Sequence, residues 1–143
     1  MRKRTICLVL VFLLLMLCGA CQKAPEAQAP AEPEGLQDGS YHIDATLTGG
    51  TGKAKIASPL QLRVQDGKIT ATLVWSSANY DYMKVDGVRY DAVIEDGHSV
   101  FTVPVASLEE PLPVVADTVA MSTPHEIEYT ITFDPATLAA DAK

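Results

Sequence analysis

The side chains best suited to chemistry cluster near the end of this 143-residue sequence, at His125–Phe133 (HEIEYTITF). The stretch alternates without a break. Ile127, Tyr129, Ile131 and Phe133 fall on one face, and Glu126, Glu128, Thr130 and Thr132 on the other. Successive strand side chains point to opposite faces, so this reads as a β-strand with one buried and one wet face. His125 shares the parity of Tyr129, roughly 13 Å away along the strand at about 3.3 Å per residue. The two can line one wall of a flat pocket. On the alternative reading, Tyr129 is core with its hydroxyl at the rim and His125 merely starts the strand after Pro124. Met121 lies four residues before His125. Thioether sulfur and imidazole nitrogen are both donors to iron, whereas a methionine taken alone is more simply a gap-filler in the core.

A second unusual stretch is Trp75-Ser76-Ser77-Ala78-Asn79-Tyr80-Asp81-Tyr82-Met83. It concentrates a tryptophan, two tyrosines and a methionine in a chain with nine aromatic residues. Either it closes one end of the fold as a core plug, or it offers a π-rich surface to a flat ligand or a partner protein. Trp75, Ser76, Tyr80, Tyr82, Met83 and Tyr129 are therefore the candidate ligand-binding residues, and His125 and Met121 the candidate metal ligands.

The elements that position these residues are strands. Tyr41–Leu47 alternates with Tyr41, Ile43, Ala45 and Leu47 inward, leaving His42 outward. Leu60–Val64 and Ile69–Trp75 flank Asp66-Gly67. The same Asp-Gly device recurs at Asp86-Gly87 and Asp96-Gly97, each between apolar runs. Asp-Gly is a strong hairpin signal because its turn needs positive φ. Val114–Met121 supplies one more strand, and 137–143 a helical turn. This predicts an all-β, immunoglobulin-like sandwich of about seven to nine strands over residues 37–135, with a tail at 136–143.

Before the sandwich, Arg2-Lys3-Arg4 and the apolar run Ile6–Leu17 form an export signal over residues 1–20, too short for a comfortable membrane span. Leu17-Cys18-Gly19-Ala20-Cys21 resembles a bacterial lipobox, departing from it at Cys18, where leucine is commoner. The resemblance implies lipidation at Cys21 and an extracytoplasmic domain anchored to the membrane. Residues 21–36 then read as the lipidated cysteine plus an Ala/Pro/Glu-rich linker.

Composition narrows the classes. Beyond the first four residues, eight basic residues face eighteen acidic ones, which argues against nucleic acid. All three cysteines fall in the first twenty-one residues, so the sandwich has no disulfide framework and no thiol nucleophile. There is no G-x-S-x-G, no phosphate loop and no H-E-x-x-H, and His42, His98 and His125 lack metal-site spacing. Asp81, Asp86, Asp91 and Asp96 imitate a calcium loop only in spacing, since two of them are turn residues. Nothing in the sequence argues for an enzyme.

The stretches SSANYDYM and ADTVAMSTPHEIEYTITFD, with the SPLQLRV hairpin before Asp66-Gly67, resemble a domain of Gram-positive surface lipoproteins that is similar to the NEAT (near-iron-transporter) family. The resemblance spans about Asp38 to Asp134. It implies an immunoglobulin-like fold that binds haem and passes it to an uptake system, such as an ABC transporter or another surface protein. Ser76–Met83 resembles the short helix that forms one lip of the NEAT haem slot. The NEAT motif Y-x-x-x-Y, whose first tyrosine holds iron, is here His125-x-x-x-Tyr129, or Tyr129-x-x-x-Phe133 in the other register. Some related streptococcal haem proteins use two methionines, a part open to Met83 and Met121. The competing expectation is an interaction module of an envelope or transport complex, using the aromatic stretch as its contact patch.

Overall fold

A computed structural model describes residues 35–142. The expected signal, Cys21 and nearly all of the linker lie outside the described residues. Nine strands follow one another: β1 (Gly39–Gly49), β2 (Leu60–Gln65), β3 (Lys68–Val74), β4 (Tyr80–Val85), β5 (Val88–Asp91), β6 (Val93–Glu95), β7 (His98–Val105), β8 (Leu112–Thr118) and β9 (His125–Ala140). No helix occurs among the described residues.

The strands form one antiparallel sheet in the order β5-β4-β8-β9-β1-β2-β3-β7-β6. The three Asp-Gly pairs make its tight turns. Asp66, Asp86 and Asp96 have φ near +50°, and Gly67, Gly87 and Gly97 between +73° and +81°. Positive φ at both central residues is the turn whose twist matches the flanking strands, and aspartate tolerates that region better than most side chains.

The sheet rolls until its ends meet. Ser99 on β7 accepts from the Tyr80 amide at 3.2 Å and donates to the Tyr80 carbonyl at 2.6 Å. The Ser99 amide donates to the Ser77 carbonyl at 2.9 Å, and the Ala92 amide to the Asp81 carbonyl at 2.8 Å. Residues 88–95 pass from one edge of the sheet to the other, so β5 and β6 flank the seam.

Inside the roll, alternate residues of every long strand form one core. Ile43, Leu62, Leu73, Trp75, Met83, Phe101, Val103 and Ile131 are essentially inaccessible. Each large apolar side chain so buried contributes about 1.5–3 kcal/mol. Residues 35–142 supply the whole of this sheet and core, enough to fold as a unit without disulfides.

Two local expectations are corrected. Ser76–Met83 is not a helical lip. Only residues 76–79 are loop, and from Tyr80 the chain is strand, held by β8 on one side and β5 on the other. The predicted helical turn after Thr137 is instead the end of β9, which continues to Ala140 because Ala139 and Ala140 pair with His42 and Tyr41 of β1. An irregularity spanning Pro135–Leu138 takes up the change of register. There the Thr137 hydroxyl accepts from the Asp44 amide at 2.8 Å and donates to the Asp134 carbonyl at 2.8 Å.

Candidate functional site

Strand direction sorts the loops into two poles. The chain enters β1 at one pole, beside the Asp66-Gly67 turn. The other pole gathers the ends of β1 and β3, the starts of β4 and β9, and the β8–β9 loop. The Trp75, Tyr80 and Tyr129 cluster and His125 belong to this second pole.

Three aromatic side chains meet there between the two halves of the sheet. Trp75 and Tyr80 have ring centroids 4.3 Å apart, and Trp75 and Tyr129 stand edge to face at 5.1 Å. The Tyr80 and Tyr129 hydroxyls are 3.2 Å apart. One phenol must donate to the other, because each carries a single proton. Burial first, then the bond to Tyr80, pushes the Tyr129 phenol above its ordinary range. The Trp75 Nε1–H is buried without a hydrogen-bond partner among the described residues. His98 approaches the Trp75 carbonyl with Nδ1 at 2.8 Å; a carbonyl only accepts, so Nδ1 carries the proton.

The start of β9 overhangs this cluster. β1 ends opposite Tyr129, so residues 125–128 are paired only with β8. Tyr129 is 4 % exposed, Ile127 half-buried and His125 exposed, one face grading from core to solvent. The β8–β9 loop beyond them presents Val119 and Met121, the latter 67 % exposed. From the other side, Gly50, at the start of the segment that leads to Lys55, closes over Ile127 and Tyr129. A Cβ on Gly50 would lie 3.0 Å from Ile127 Cγ2, 3.0 Å from Tyr129 Cε1 and 3.1 Å from its hydroxyl. The same segment carries Lys53 and Lys55, both exposed.

The sequence-predicted residues therefore separate by depth. Trp75, Tyr80, Met83 and Tyr129 are core, and Ser76, His125 and Met121 lie at the surface. Tyr82 lies on the outer face of β4. It donates to Glu126 at 2.6 Å and lies beneath Arg89, whose guanidinium is 3.8 Å from its ring centre. The Glu126 bond pushes the Tyr82 phenol up to about 12. Lys84 donates to the same Glu126 oxygen at 2.5 Å, and this pairing, with Tyr82, lowers the Glu126 pKa. Asp117 lies opposite both, 3 % exposed, where β4 bulges at Asp81. Burial and then Asp81 raise its pKa.

His42 faces out and pairs with Asp141 at 2.6 Å, at the far pole from His125. No group of three His, Cys, Asp or Glu side chains that could hold a metal ion forms among the described residues. Two surface depressions measure about 600 and 660 Å3, the first of them bordered by Gly49 and Tyr129. One is on the outer face of the sheet around Lys84, Val115 and Glu128, the other beside Asp44, Ser58 and Asp134.

No family model and no curated protein matches the chain. Solved structures do. The NEAT5 domain of IsdX2, a B. anthracis hemophore in complex with haem, aligns with a TM-score of 0.54 at 22 % identity, over 69 % of this chain and 98 % of that one. A mutant of the same domain, also in complex with haem, gives 0.56 at 24 % identity over 70 % and 98 %. The fold is that of a NEAT domain. The expected immunoglobulin-like all-β architecture and the likeness to NEAT are thus observed.

Within this NEAT-like domain, three contributors to the pole were not singled out in the sequence. Ser99 seemed an unremarked strand residue, yet it joins β7 to Tyr80. The Gly49-Gly50 pair read as a break after the first strand, yet it lets the chain close over Tyr129. Lys53 and Lys55 are the other contributors; two lysines two residues apart in a domain of net negative charge were the available signal.

Proposed function

We infer that this NEAT-like domain binds haem at the pole formed by the start of β9, the β8–β9 loop and residues 50–54. The observation that carries the reading is the graded inner face of β9. The His125 imidazole, without a hydrogen-bond partner among the described residues, stands beyond Ile127 and Tyr129 on a hairpin that overhangs the sandwich. Two solved neighbours with this fold are haem complexes, which supports the same ligand class here.

The residues present suit a flat, mostly apolar, dianionic ring. Ile127, Val119 and Met121 supply apolar contact. His125 supplies an imidazole to iron, with Met121 the second candidate donor. Met83 has no accessible surface, so this reading does not use it. Lys53 and Lys55 offer positive charge to the propionates. In a domain this acidic, such local charge steers an anion to one place. Tyr129 and Tyr80 form the polar floor.

In the wider reading the chain is a lipoprotein held at the cell surface through Cys21, and passes its haem to an uptake system. The geometry is favourable to that role, because the chain enters the sandwich at the pole opposite the site. A lipid anchor before residue 35 would leave the site facing outward. The interaction-module alternative loses much of its contact patch, since Trp75 and Tyr80 are buried.

Titration of the domain with haemin tests the proposal. A Soret band saturating at a 1:1 ratio is expected, with its position changed by His125→Ala and its salt dependence reduced by Lys53→Glu with Lys55→Glu. A flat spectrum, or one indifferent to all these substitutions, refutes it.

A further inference from the structure

We propose that residues 49–54 are a lid, closed in this structure over the Tyr129 phenol, and that ligand entry requires it to swing away. The inference deepens the haem reading and takes its ligand from it, but the lid itself is argued from the chain alone.

The segment is tethered at two points with little between. At one end Gly49 is the last β1 residue paired with β9, opposite Tyr129. At the other, Lys55 and Ser76 exchange two hydrogen bonds, at 2.8 and 3.2 Å. Between these anchors one main-chain bond, Gly52 amide to Gly49 carbonyl at 3.2 Å, holds the turn to itself. Thr51, Gly52 and Lys53 are exposed.

The tether has hinges. Gly49, Gly50 and Gly52 have φ of +117°, +55° and +74°, three positive values within four residues. Such residues rearrange with little steric penalty, and hinges are commonly a few loop positions that absorb large φ changes.

What the segment covers is polar. Gly50 lies against the Tyr129 hydroxyl, which bonds to Tyr80 in the same aromatic cluster as Trp75, whose buried Nε1–H has no acceptor among the described residues. A core plug has no use for an orphaned donor, because leaving a buried N–H unpaired is unfavourable. A pocket floor does, because a ligand can accept from it. Gly50 rests directly on Tyr129 and Ile127, which accords with a closed state.

The test uses the domain of residues 35–142, which contains the complete core and no cysteine. Gly50→Cys with Ile127→Cys would staple the lid shut when oxidised and free it when reduced. Trp75 is the chain's single tryptophan, so acrylamide quenching reports exposure of the floor without any ligand. Gly50→Ala should raise quenching by wedging a methyl against Tyr129, and the oxidised staple should lower it. Haemin association should slow about tenfold or more in the oxidised form and recover on reduction, as the competent fraction falls and returns. Equal association rates for the two redox forms would overturn the lid while leaving haem binding intact. If haemin does not bind the unsubstituted domain, the functional reading fails and quenching alone decides. Equal quenching of the stapled, reduced and Gly50→Ala proteins would then overturn the lid as well.

Discussion

The hydroxyls of Tyr80 and Tyr129 lie 3.2 Å apart, on strands β4 and β9 that are separated in the sheet by β8. The pair therefore ties two strands that share no backbone hydrogen bonds. Tyr129→Phe or Tyr80→Phe alone should destabilise the domain by about 1–3 kcal/mol, because the surviving buried hydroxyl loses its partner. The double replacement should cost less than the sum, leaving a coupling of about 1 kcal/mol in a denaturant double-mutant cycle. The pH dependence has a definite sign. Burial and Tyr80 raise the Tyr129 pKa above the ordinary 10. The neutral phenol's contribution is thus fully present below pH 10 and lost as pH rises through the raised value. Denaturation midpoints measured at neutral pH and above pH 10 should diverge less for Tyr129→Phe than for the native protein.

Ser99 closes the sheet with one hydroxyl serving both the amide and the carbonyl of Tyr80. Ser99→Ala removes both partners at a site with no exposure. A loss of about 2–4 kcal/mol in urea denaturation is expected, from two buried backbone groups left unpaired. Because Tyr80 is the residue released, amide exchange at Tyr80 and Ala92 should accelerate more than at Leu62 or Ala71, far from the seam. Uniform acceleration would mean that Ser99 acts on global stability alone.

How far the sequence reached is clearest by comparing these residues with the turns. Asp66-Gly67, Asp86-Gly87 and Asp96-Gly97 were legible because their chemistry is local, and positive φ at both positions is written into the dipeptide. The parity of Ile127, Tyr129, Ile131 and Phe133 was legible for the same reason, since it depends only on the period of a strand. Tyr80 was not placed, and Trp75 was left open although it ends the run Ile69–Trp75, because both were read as part of a loop, which has no period. Their inward orientation follows from the rolling of the sheet and from Ser99, nineteen residues from Tyr80. The short-helix reading of Ser76–Met83 failed on long-range pairing: β8 and β5 hold Tyr82–Val85 extended from either side. The end of β9 failed similarly, since residues 136–143 read as a tail where a register irregularity lets the strand resume against β1.

Trp75 offers a test of its orphaned donor. It is wholly buried, and Nε1 has no acceptor among the described residues. Trp75→Ala should cost about 3–5 kcal/mol, as expected for a large core side chain. Trp75→Phe also leaves a cavity but removes the unpaired N–H, whose burial opposes folding by about 1–3 kcal/mol. The phenylalanine variant should therefore lie within about 1.5 kcal/mol of the native protein, read from urea midpoints. A cost near that of alanine would show that Nε1 is paired in solution.

On the outer face, Asp117 and Glu126 are cross-strand neighbours whose pKa values move in opposite directions. Lys84 first, then Tyr82, donates to Glu126 and lowers its pKa, so its contribution is present above 4.5 and lost as pH falls through the lowered value. Asp117 is raised by burial and by Asp81. What it contributes is present below 3.8 and is lost as pH rises through the raised value. Two carboxylates side by side on adjacent strands repel when both are ionised. At neutral pH, Asp117→Asn should therefore stabilise the domain and Glu126→Gln should destabilise it, the latter modestly because water and salt screen that exposed carboxylate. The Glu126 change should also bring the Tyr82 phenol down from about 12 toward 10, seen as tyrosinate absorbance missing from a Tyr82→Phe control. Below pH 3.8 the native Asp117 is already neutral, so the gain from Asp117→Asn should vanish there. Thermal midpoints across that range, with the asparagine variant ahead at neutral pH and level in acid, are the expected signature; a constant offset would show that Asp117 acts through packing and not through its charge.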